Sequence, residues 1–274
     1  MNQTATSTDE RIVTIIGYGV AGVNAAIALR TAGYAGRILV FSNTDIPPYS
    51  PILTSYYAGG KKTYGECFPW SADDLASLDL DVLENTPVVE LDPAAHLIRT
   101  ADGEYAYDKC VIAAGSTPMP YGFPGVEGED GYTPIMLRTM GDAERLRATA
   151  TDPACKRILV SGASMVALKT LEAFLDHGLD CTLVGMNPHV LDMNALPATA
   201  ERFERGLREK GVTLRLGQTI AHVKRIDDPA GFKGRRLEVT FSTGDVDTFD
   251  EISVAHGMKS NFDFVKKEIG RAHV

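Results

Sequence analysis

The sequence lacks the features that mark membrane proteins and proteins that bind nucleic acids. Within its 274 residues, no apolar run approaches the roughly 20 residues that a membrane-spanning helix needs. It carries 27 basic against 36 acidic side chains, a formal net charge of −9, and no large cluster of lysine and arginine. Because this charge repels phosphates and anionic lipid, we expect neither a nucleic acid nor a membrane as a partner.

Cysteine is also scarce. The four cysteines lie too far apart in the sequence to form a local zinc site or a Cys-x-x-Cys redox motif. The six histidines lack the i, i+4 spacing of a metal site, so no metal is predicted. The scattered cysteines fit a reducing cytoplasm best. Residues 1–10 are polar, which predicts a disordered tail rather than a secretion signal. The cysteines are Cys67, Cys110, Cys155 and Cys181.

What the sequence does contain, near its start, is a strand–turn–helix–strand pattern. The β-branched run Ile12–Ile16 predicts a buried parallel strand, residues 20–32 carry an apolar face at helical spacing, and Arg37–Phe41 predicts the next strand. A Gly-x-Gly-x-x-Gly motif in that setting predicts a dinucleotide-binding turn. The turn reads Gly17-Tyr18-Gly19-Val20-Ala21-Gly22.

Each glycine of this turn has a separate expected role. Gly17 permits the tight turn, Gly19 lets the backbone approach a pyrophosphate, and Gly22 lets the helix pack against the strand. The acidic residue that usually binds the ribose after the second strand is absent. Asn43 can bind a hydroxyl without charge, and Asp45 lies nearby in the sequence.

A second unit of the same kind follows a stretch rich in glycine and proline, residues 122–134. Residues 156–160, 165–175 and 181–184 predict its strand, helix and strand. Its turn is altered, because only the tight-turn position keeps glycine and the pyrophosphate-facing position carries a side chain. The three motif positions are Gly162, Ser164 and Ala167.

Further segments follow the first unit in a fixed order. Residues 47–60 are rich in proline and tyrosine, 68–70 read Phe-Pro-Trp, and 86–92 and 107–118 each contain a strand pattern. In this order they resemble the pyridine-nucleotide-disulfide oxidoreductase superfamily. The resemblance is strongest to flavin reductases related to nitrite reductase large subunits, ferredoxin and rubredoxin reductases, and coenzyme A disulfide reductases. It runs from Arg11 to Phe264.

This resemblance implies an α/β fold with two Rossmann-like dinucleotide-binding domains, the second inserted in the first. The expected domains are an FAD-binding domain that begins with residues 11–123, an NAD(P)-binding-like domain at 124–250, and a return to the FAD domain at 251–274. The family pattern continues after Gly257 with a further FAD segment that this sequence lacks. We therefore expect a C-terminally truncated chain.

The resemblance also assigns cofactor-binding residues, while the catalytic residues stay unassigned because the flavin carries the electron chemistry. For Arg138, a surface salt bridge is an equally good interpretation. The positions assigned to NAD(P) are Gly162, Ser164 and Ala167. The residues assigned to FAD are Gly17, Gly19, Val20, Ala21, Gly22, Asn43, Leu53, Thr54, Val88, Ala113, Ala114, Gly115 and Arg138.

Two more positions weaken the second site. Gly185 replaces the acid that would bind the ribose, and Lys169 replaces the glutamate that the family places near the nicotinamide. Disulfide-active relatives carry a cysteine where this chain has Ile52, so a thiol relay is disfavoured, and Cys67 is expected to be a packing residue. His256, at a strand end, is interpreted as structural.

The expected function is an FAD-dependent oxidoreductase. It would transfer electrons from NAD(P)H through the flavin to an acceptor protein or a small inorganic or organic acceptor, with a homodimer formed through the region beyond the truncation. The alternative is a flavin-binding electron-transfer subunit of a larger complex that has lost NAD(P)H binding. A third possibility is a degenerate binder without enzymatic activity.

Overall fold

The computed structural model describes residues 11–125 and 132–265. These residues form two compact units. The first comprises residues 11–50, 68–117 and 260–265, and the second comprises residues 51–67, 118–125 and 132–259. Along the sequence the second unit therefore lies within the first. The predicted tail at 1–10 and the end of the chain after residue 265 lie outside the described residues.

The regular elements are six α-helices and sixteen strands within the described residues. Up to residue 118 they are β1 (Ile12–Ile16), α1 (Val20–Thr31), β2 (Arg37–Phe41), α2 (Leu53–Ala58), α3 (Ala72–Ala76), β3 (Asp81–Leu83), β4 (Val88–Asp92), β5 (Leu97–Thr100), β6 (Glu104–Ala106), β7 (Lys109–Ile112) and β8 (Ser116–Pro118). From residue 140 they are α4 (Met140–Thr151), β9 (Arg157–Ser161), α5 (Met165–Asp176), β10 (Asp180–Gly185), α6 (Pro197–Glu209), β11 (Thr213–Leu216), β12 (Ile220–Asp227), β13 (Arg235–Phe241), β14 (Val246–Phe249), β15 (Glu251–Val254) and β16 (Met258–Ser260). Two short 3₁₀ helices are Gly65–Cys67 and Phe232–Gly234.

The first unit is built on a parallel sheet in the order β3-β2-β1-β7. Its central strands are buried on both faces, which explains their uninterrupted apolar sequence. One face contributes Ile15 and Val40 to a core with Val23 of α1. The other contributes Ile16 and Phe41 to a core that also includes residues of the antiparallel sheet β4-β5-β6.

The second unit repeats this plan with a parallel sheet in the order β11-β10-β9-β15. Helices α4 and α5 pack on one face through residues such as Leu146 and Phe174. The opposite face packs against the antiparallel sheet β12-β13-β14 through Leu159 and Val239. The α/β fold class with two Rossmann-like units is thus confirmed.

The strand order reverses once in each unit, which is where a ligand site is expected. In the first, the chain runs from β1 outward through β2 to β3 and then crosses to β7 on the other side of β1. In the second, it runs from β9 through β10 to β11 and then crosses to β15. Ligands of open α/β sheets bind outside the carboxyl ends of the strands where the order reverses. No helix within 11–125 and 132–265 has the length and apolar character needed to cross a bilayer.

Candidate dinucleotide sites

The first glycine turn follows β1 directly and closes against the end of β7. The N–H of Gly17 donates to the carbonyl oxygen of Phe41 at 2.8 Å, and Gly17 has φ +111°. A Cβ at this position would lie 2.2 Å from the carbonyl oxygen of Ala113. Only glycine fits, because both its own backbone conformation and the adjacent backbone at Ala113 exclude a side chain.

The other two glycines of the turn have different surroundings. A Cβ at Gly22 would lie 2.0 Å from the carbonyl oxygen of Gly17, so the start of α1 packs directly on the turn. At Gly19, by contrast, no atom of the described residues beyond Gly19 and its two chain neighbours lies within 4 Å of the Cβ position. Gly19 is the N-cap of α1 and supplies no side-chain cap. Val20 and Ala21 follow it at the exposed start of the helix.

This uncapped helix start fits a dinucleotide pyrophosphate. The first amides of a helix lack partners within the helix, and the helix dipole favours an anion there. Open space at Gly19 lets a phosphate reach these amides without meeting a side chain. The residues that would hold the pyrophosphate of FAD are therefore Gly19, Val20 and Ala21.

The turn formed by Ala113, Ala114 and Gly115, which the resemblance assigns to FAD, is held in place by a residue that the sequence did not indicate. Asn261 donates from its side-chain Nδ2 to the carbonyl oxygen of Ala114 and from its backbone N–H to that of Gly115, both at 3.0 Å. The hydroxyl of Thr117 donates to Asn261 Oδ1 at 2.8 Å. Ala113 is bonded to β1 through its N–H and the carbonyl oxygen of Ile16. Asn261 thus fixes the turn that closes on Gly17.

The remaining assigned FAD residues are distributed over both units. Asn43 is exposed just beyond the end of β2, the place where a ribose-binding side chain is expected, and Val88 begins β4. Leu53 and Thr54 begin α2, and the buried hydroxyl of Thr54 donates to the carbonyl oxygen of Pro51 at 2.7 Å. These two residues belong to the second unit.

Arg138 also belongs to the second unit, where it lies at the beginning of α4. Its backbone N–H donates to Asp142 Oδ2 at 3.1 Å. The same carboxylate forms a capping box with Thr139, the N-cap of the helix. The local Leu-Arg-Thr sequence therefore marks a helix start, whatever further role the guanidinium has.

The second turn keeps the backbone geometry of the first. The N–H of Gly162 donates to the carbonyl oxygen of Val184 at 2.8 Å, and Gly162 has φ +120°. A Cβ at this position would lie 2.5 Å from the carbonyl oxygen of Ala255. The tight turn thus survives, as its single retained glycine predicts.

The pyrophosphate-facing position is where the two turns differ. Ser164 is the N-cap of α5, and its hydroxyl accepts a hydrogen bond of 3.4 Å from the N–H of Ala167. This bond uses one of the amides that a phosphate would otherwise bind. The start of α5 is therefore partly satisfied by its own serine, whereas the start of α1 is open.

The ribose-facing position is altered together with its neighbour. A Cβ at Gly185 would lie 2.8 Å from Cβ of Ala163, so any larger residue there must displace the turn. Lys169 forms an ion pair with Glu172, and its Nζ lies 4.2 Å from the centre of the Tyr56 ring. Neither position supplies the acidic group found in the family pattern.

A cavity of about 580 Å³ nevertheless lies at the carboxyl edge of this second sheet. Its volume is in the range of ordinary cofactor sites. Ser164 and Gly185 line it, and so does His256, whose Nε2 lies 2.8 Å from the hydroxyl oxygen of Ser161. Desolvation lowers the pKa of the His256 imidazole. Sequence reasoning missed this pair because the two residues are 95 positions apart.

None of the four cysteines has the surroundings of a reactive thiol. Cys67 is buried, with Sγ 3.7 Å from the carbonyl oxygens of Leu53 and Thr63, and burial raises its pKa. Burial also raises the pKa of Cys155 and Cys181 to about 12. The interpretation of Cys67 as a packing residue fits this geometry.

Known proteins that resemble this chain belong to a family of dinucleotide-binding enzymes, in agreement with the two glycine turns at Gly17 and Gly162. A family model described as pyridine nucleotide-disulphide oxidoreductase matches residues 11–273. The chain belongs to this family. The resemblance stated from the sequence motifs is therefore confirmed. FAD as cofactor and NAD(P)H as electron donor are properties of the family and of the relatives found.

Among other pyridine nucleotide-disulphide oxidoreductases, the putidaredoxin reductase CamA of Pseudomonas putida is 31% identical over 212 residues, 76% of this chain and 49% of that protein. Rubredoxin-NAD(+) reductase of Ectopseudomonas oleovorans is 28% identical over 214 residues, 77% of this chain and 54% of that protein. The chain thus spans about half the length of the curated relatives it matches.

A chain in the crystal structure of the covalent putidaredoxin reductase–putidaredoxin complex has the same fold. It superimposes with a TM-score of 0.81 at 25% identity, and the match covers 92% of this chain and 59% of that one. The whole superimposed region thus shares the arrangement of secondary structure described above.

Proposed function

We propose that the protein is an FAD-dependent oxidoreductase that passes electrons from NAD(P)H through the flavin to an acceptor. The observation that carries the proposal is the first glycine turn, where the open Gly19 precedes an uncapped helix in a chain of this family. When bound, FAD accepts electrons from a reduced nicotinamide and passes them on.

The residues of this chain bind and position the cofactor. The amides at the start of α1 bind the pyrophosphate, and Asn43 offers an uncharged hydrogen-bonding group to a ribose hydroxyl. The turn 113–115, held by Asn261, brings the backbone beside Gly17 and so shapes the cleft at the switch of strand order. No acid–base group is assigned, because the flavin carries out the electron transfer.

The acceptor we propose is a small electron-transfer protein. Relatives named for rubredoxin and putidaredoxin, and the solved complex with putidaredoxin, support this choice. A relative named NADH oxidase, from Methanocaldococcus jannaschii, supports a small-molecule acceptor as the other possibility. The reducing cytoplasm remains the proposed location, supported by four unpaired cysteines.

The experiment is anaerobic reduction of the purified flavoprotein, followed by the flavin absorbance. Rapid bleaching by NADH or NADPH is the expected result. The reduced protein is then mixed with rubredoxin, with putidaredoxin or with oxygen, and the fastest reoxidation identifies the acceptor class. A protein that never holds flavin, even after incubation with FAD, would contradict the proposal.

A second candidate is a flavin-binding electron-transfer subunit that has lost NAD(P)H binding. The self-capped Ser164 and the crowded Gly185 favour it, since both remove contacts to a dinucleotide. In that case dithionite bleaches the flavin, whereas NADH and NADPH leave it oxidised. The same titration therefore separates the two candidates.

A further inference from the structure

The two units are built alike at the switch of strand order, which allows a position-by-position comparison. Gly17 and Gly162 take the same place, since each faces an alanine carbonyl oxygen, that of Ala113 or Ala255. The N–H of Ala113 donates to the carbonyl oxygen of Ile16, and the N–H of Ala255 donates to that of Ser161, both at 2.8 Å. Ser161 therefore corresponds to Ile16.

The next residue along completes the comparison. His256 follows Ala255 as Ala114 follows Ala113, and each is followed by a glycine with positive φ. Where the first unit has an apolar residue and an alanine, the second unit thus has a serine and a histidine joined by a hydrogen bond of 2.8 Å. This polar pair is specific to the second unit.

The two members of the pair have different access to the cavity. Ser161 also lines the cavity, but it is only 4% exposed and its hydroxyl is hydrogen-bonded to the imidazole. His256 is exposed on the cavity wall. Within residues 11–125 and 132–265, Nδ1 of the ring has no hydrogen-bond partner, which leaves one ring nitrogen for a ligand.

The fold indicates which part of a dinucleotide lies beside His256. In a unit of this kind, the adenosine ribose lies past the end of the second strand, here at Gly185, and the pyrophosphate lies at the helix start, here at Ser164. The other half of the molecule then crosses the first strand toward β15, where His256 stands. That half is the nicotinamide.

The charge state of the imidazole narrows the chemistry. Desolvation lowers its pKa, so the ring is neutral near pH 7 and suits an uncharged polar group better than a phosphate. The nicotinamide carboxamide is such a group. The rings of Phe123 and His256 are in a T-shaped contact with centroids 6.4 Å apart, and this contact restricts the orientation of the imidazole.

We propose that His256, positioned by Ser161, determines specificity for the nicotinamide half of the dinucleotide by hydrogen bonding to its carboxamide. This inference rests on the proposed function. The hydrogen bond from His256 gives the second site a contact that the family motif does not include. It offsets part of the dinucleotide contacts that are lost at Ser164 and Gly185.

The test measures binding by calorimetry for NADH and for ADP-ribose, which lacks the nicotinamide. His256→Ala should weaken NADH binding about three- to tenfold, the value of one hydrogen bond, and leave ADP-ribose binding within about twofold. His222→Ala, an exposed histidine on β12 outside the cavity, is the matched control and should change neither. Equal weakening of both ligands would overturn the assignment.

The role of Ser161 needs a readout beyond affinity. Ser161→Ala should shift the ¹⁵N NMR signals of the His256 ring toward a mixture of tautomers and weaken NADH binding, with ADP-ribose binding retained. Unchanged ring signals would overturn the positioning role. If the wild-type protein binds neither ligand, the proposed donor and this inference fail together. If it binds NADH and His256→Ala binds equally well, only this inference fails.

Discussion

Asn261 donates a hydrogen bond of 3.0 Å from its side-chain amide to the carbonyl oxygen of Ala114, although 147 residues separate the two in the sequence. With the backbone bond from Asn261 to Gly115, it fixes the turn beyond β7. A segment that follows the second unit in the sequence thereby completes the candidate FAD cleft of the first. The hydrogen bond is local to the first unit, so its loss can be tested without altering the glycine turn.

We expect Asn261→Ala to lower the flavin content of the purified protein by about three- to tenfold under limiting FAD, because the partly buried carbonyl of Ala114 loses its donor and the turn loosens. The flavin-to-protein absorbance ratio measures this. Thr117→Val is the matched control, since it removes the other side-chain hydrogen bond of Asn261 and keeps the bond to Ala114. Equal loss in both variants would contradict the prediction.

Alanine at Gly17 and alanine at Gly19 should have different consequences. Gly17→Ala forces an alanine to φ +111° and against a carbonyl oxygen, so we expect a loss of at least about 1–3 kcal/mol in the free energy of unfolding. Gly19 has φ −90° and open space around its Cβ position, so the Gly19→Ala variant should fold normally. It should lose FAD affinity, because the added methyl group occupies the space through which the pyrophosphate reaches the helix amides. Thermal unfolding of the apoprotein and FAD titration measure the two effects. A stable Gly17→Ala variant would count against the geometry.

Removal of the serine at the second turn should strengthen dinucleotide binding. Ser164→Gly frees the N–H of Ala167 and opens the pyrophosphate position, so we expect about fivefold tighter ADP-ribose binding, the value of roughly 1 kcal/mol. Ser164→Ala frees the same N–H but keeps a Cβ, and should improve binding less. Isothermal titration provides the affinities. No gain in the glycine variant would mean that self-capping does not limit this site.

The thiols should be nearly inert in the folded protein. With the pKa of Cys155 and Cys181 raised to about 12 by burial, their thiolate fraction at pH 8 is on the order of 10³-fold below that of an ordinary cysteine. An aromatic disulfide reagent should therefore react slowly with the native protein and titrate four thiols after denaturation. Cys110→Ser tests whether the least buried thiol accounts for any early phase. A fast phase that survives in this variant would contradict the expected burial of the other three.

A buried ion pair in the second unit should be sensitive to the loss of one partner. Glu251 is fully buried and 3.2 Å from Nη2 of Arg235, which is 4% exposed and stacks over the ring of Tyr132. Among the described residues, Arg235→Met removes the close partner and leaves the buried carboxylate only Lys233, 3.9 Å away, as a cation, so we expect a loss of about 3 kcal/mol in unfolding free energy. The double variant Arg235→Met/Glu251→Leu should recover part of it, as measured by urea denaturation. A double variant no more stable than the single one would contradict this account.

Much of the fold followed from local sequence. The run at Ile12–Ile16 predicted β1 with its observed bounds, and the helix predicted at 20–32 is observed as Val20–Thr31. Both glycine turns were located correctly because a turn between a buried strand and a helix depends on residues that are neighbours in the chain. The altered second turn was also visible, since Ser164 and Gly185 are read directly at motif positions.

The sequence by itself determined the two dinucleotide units, their family and the residues at each turn, because these depend on short periodic patterns. Only the tertiary structure showed that Gly17 closes on Ala113, that Asn261 holds Ala114, and that Ser161 and His256 meet at the second cavity. It also placed residues 51–67 with the second unit. These partners lie on strands and loops far apart in the chain, and the parallel sheets bring them together through crossover connections that no local pattern encodes.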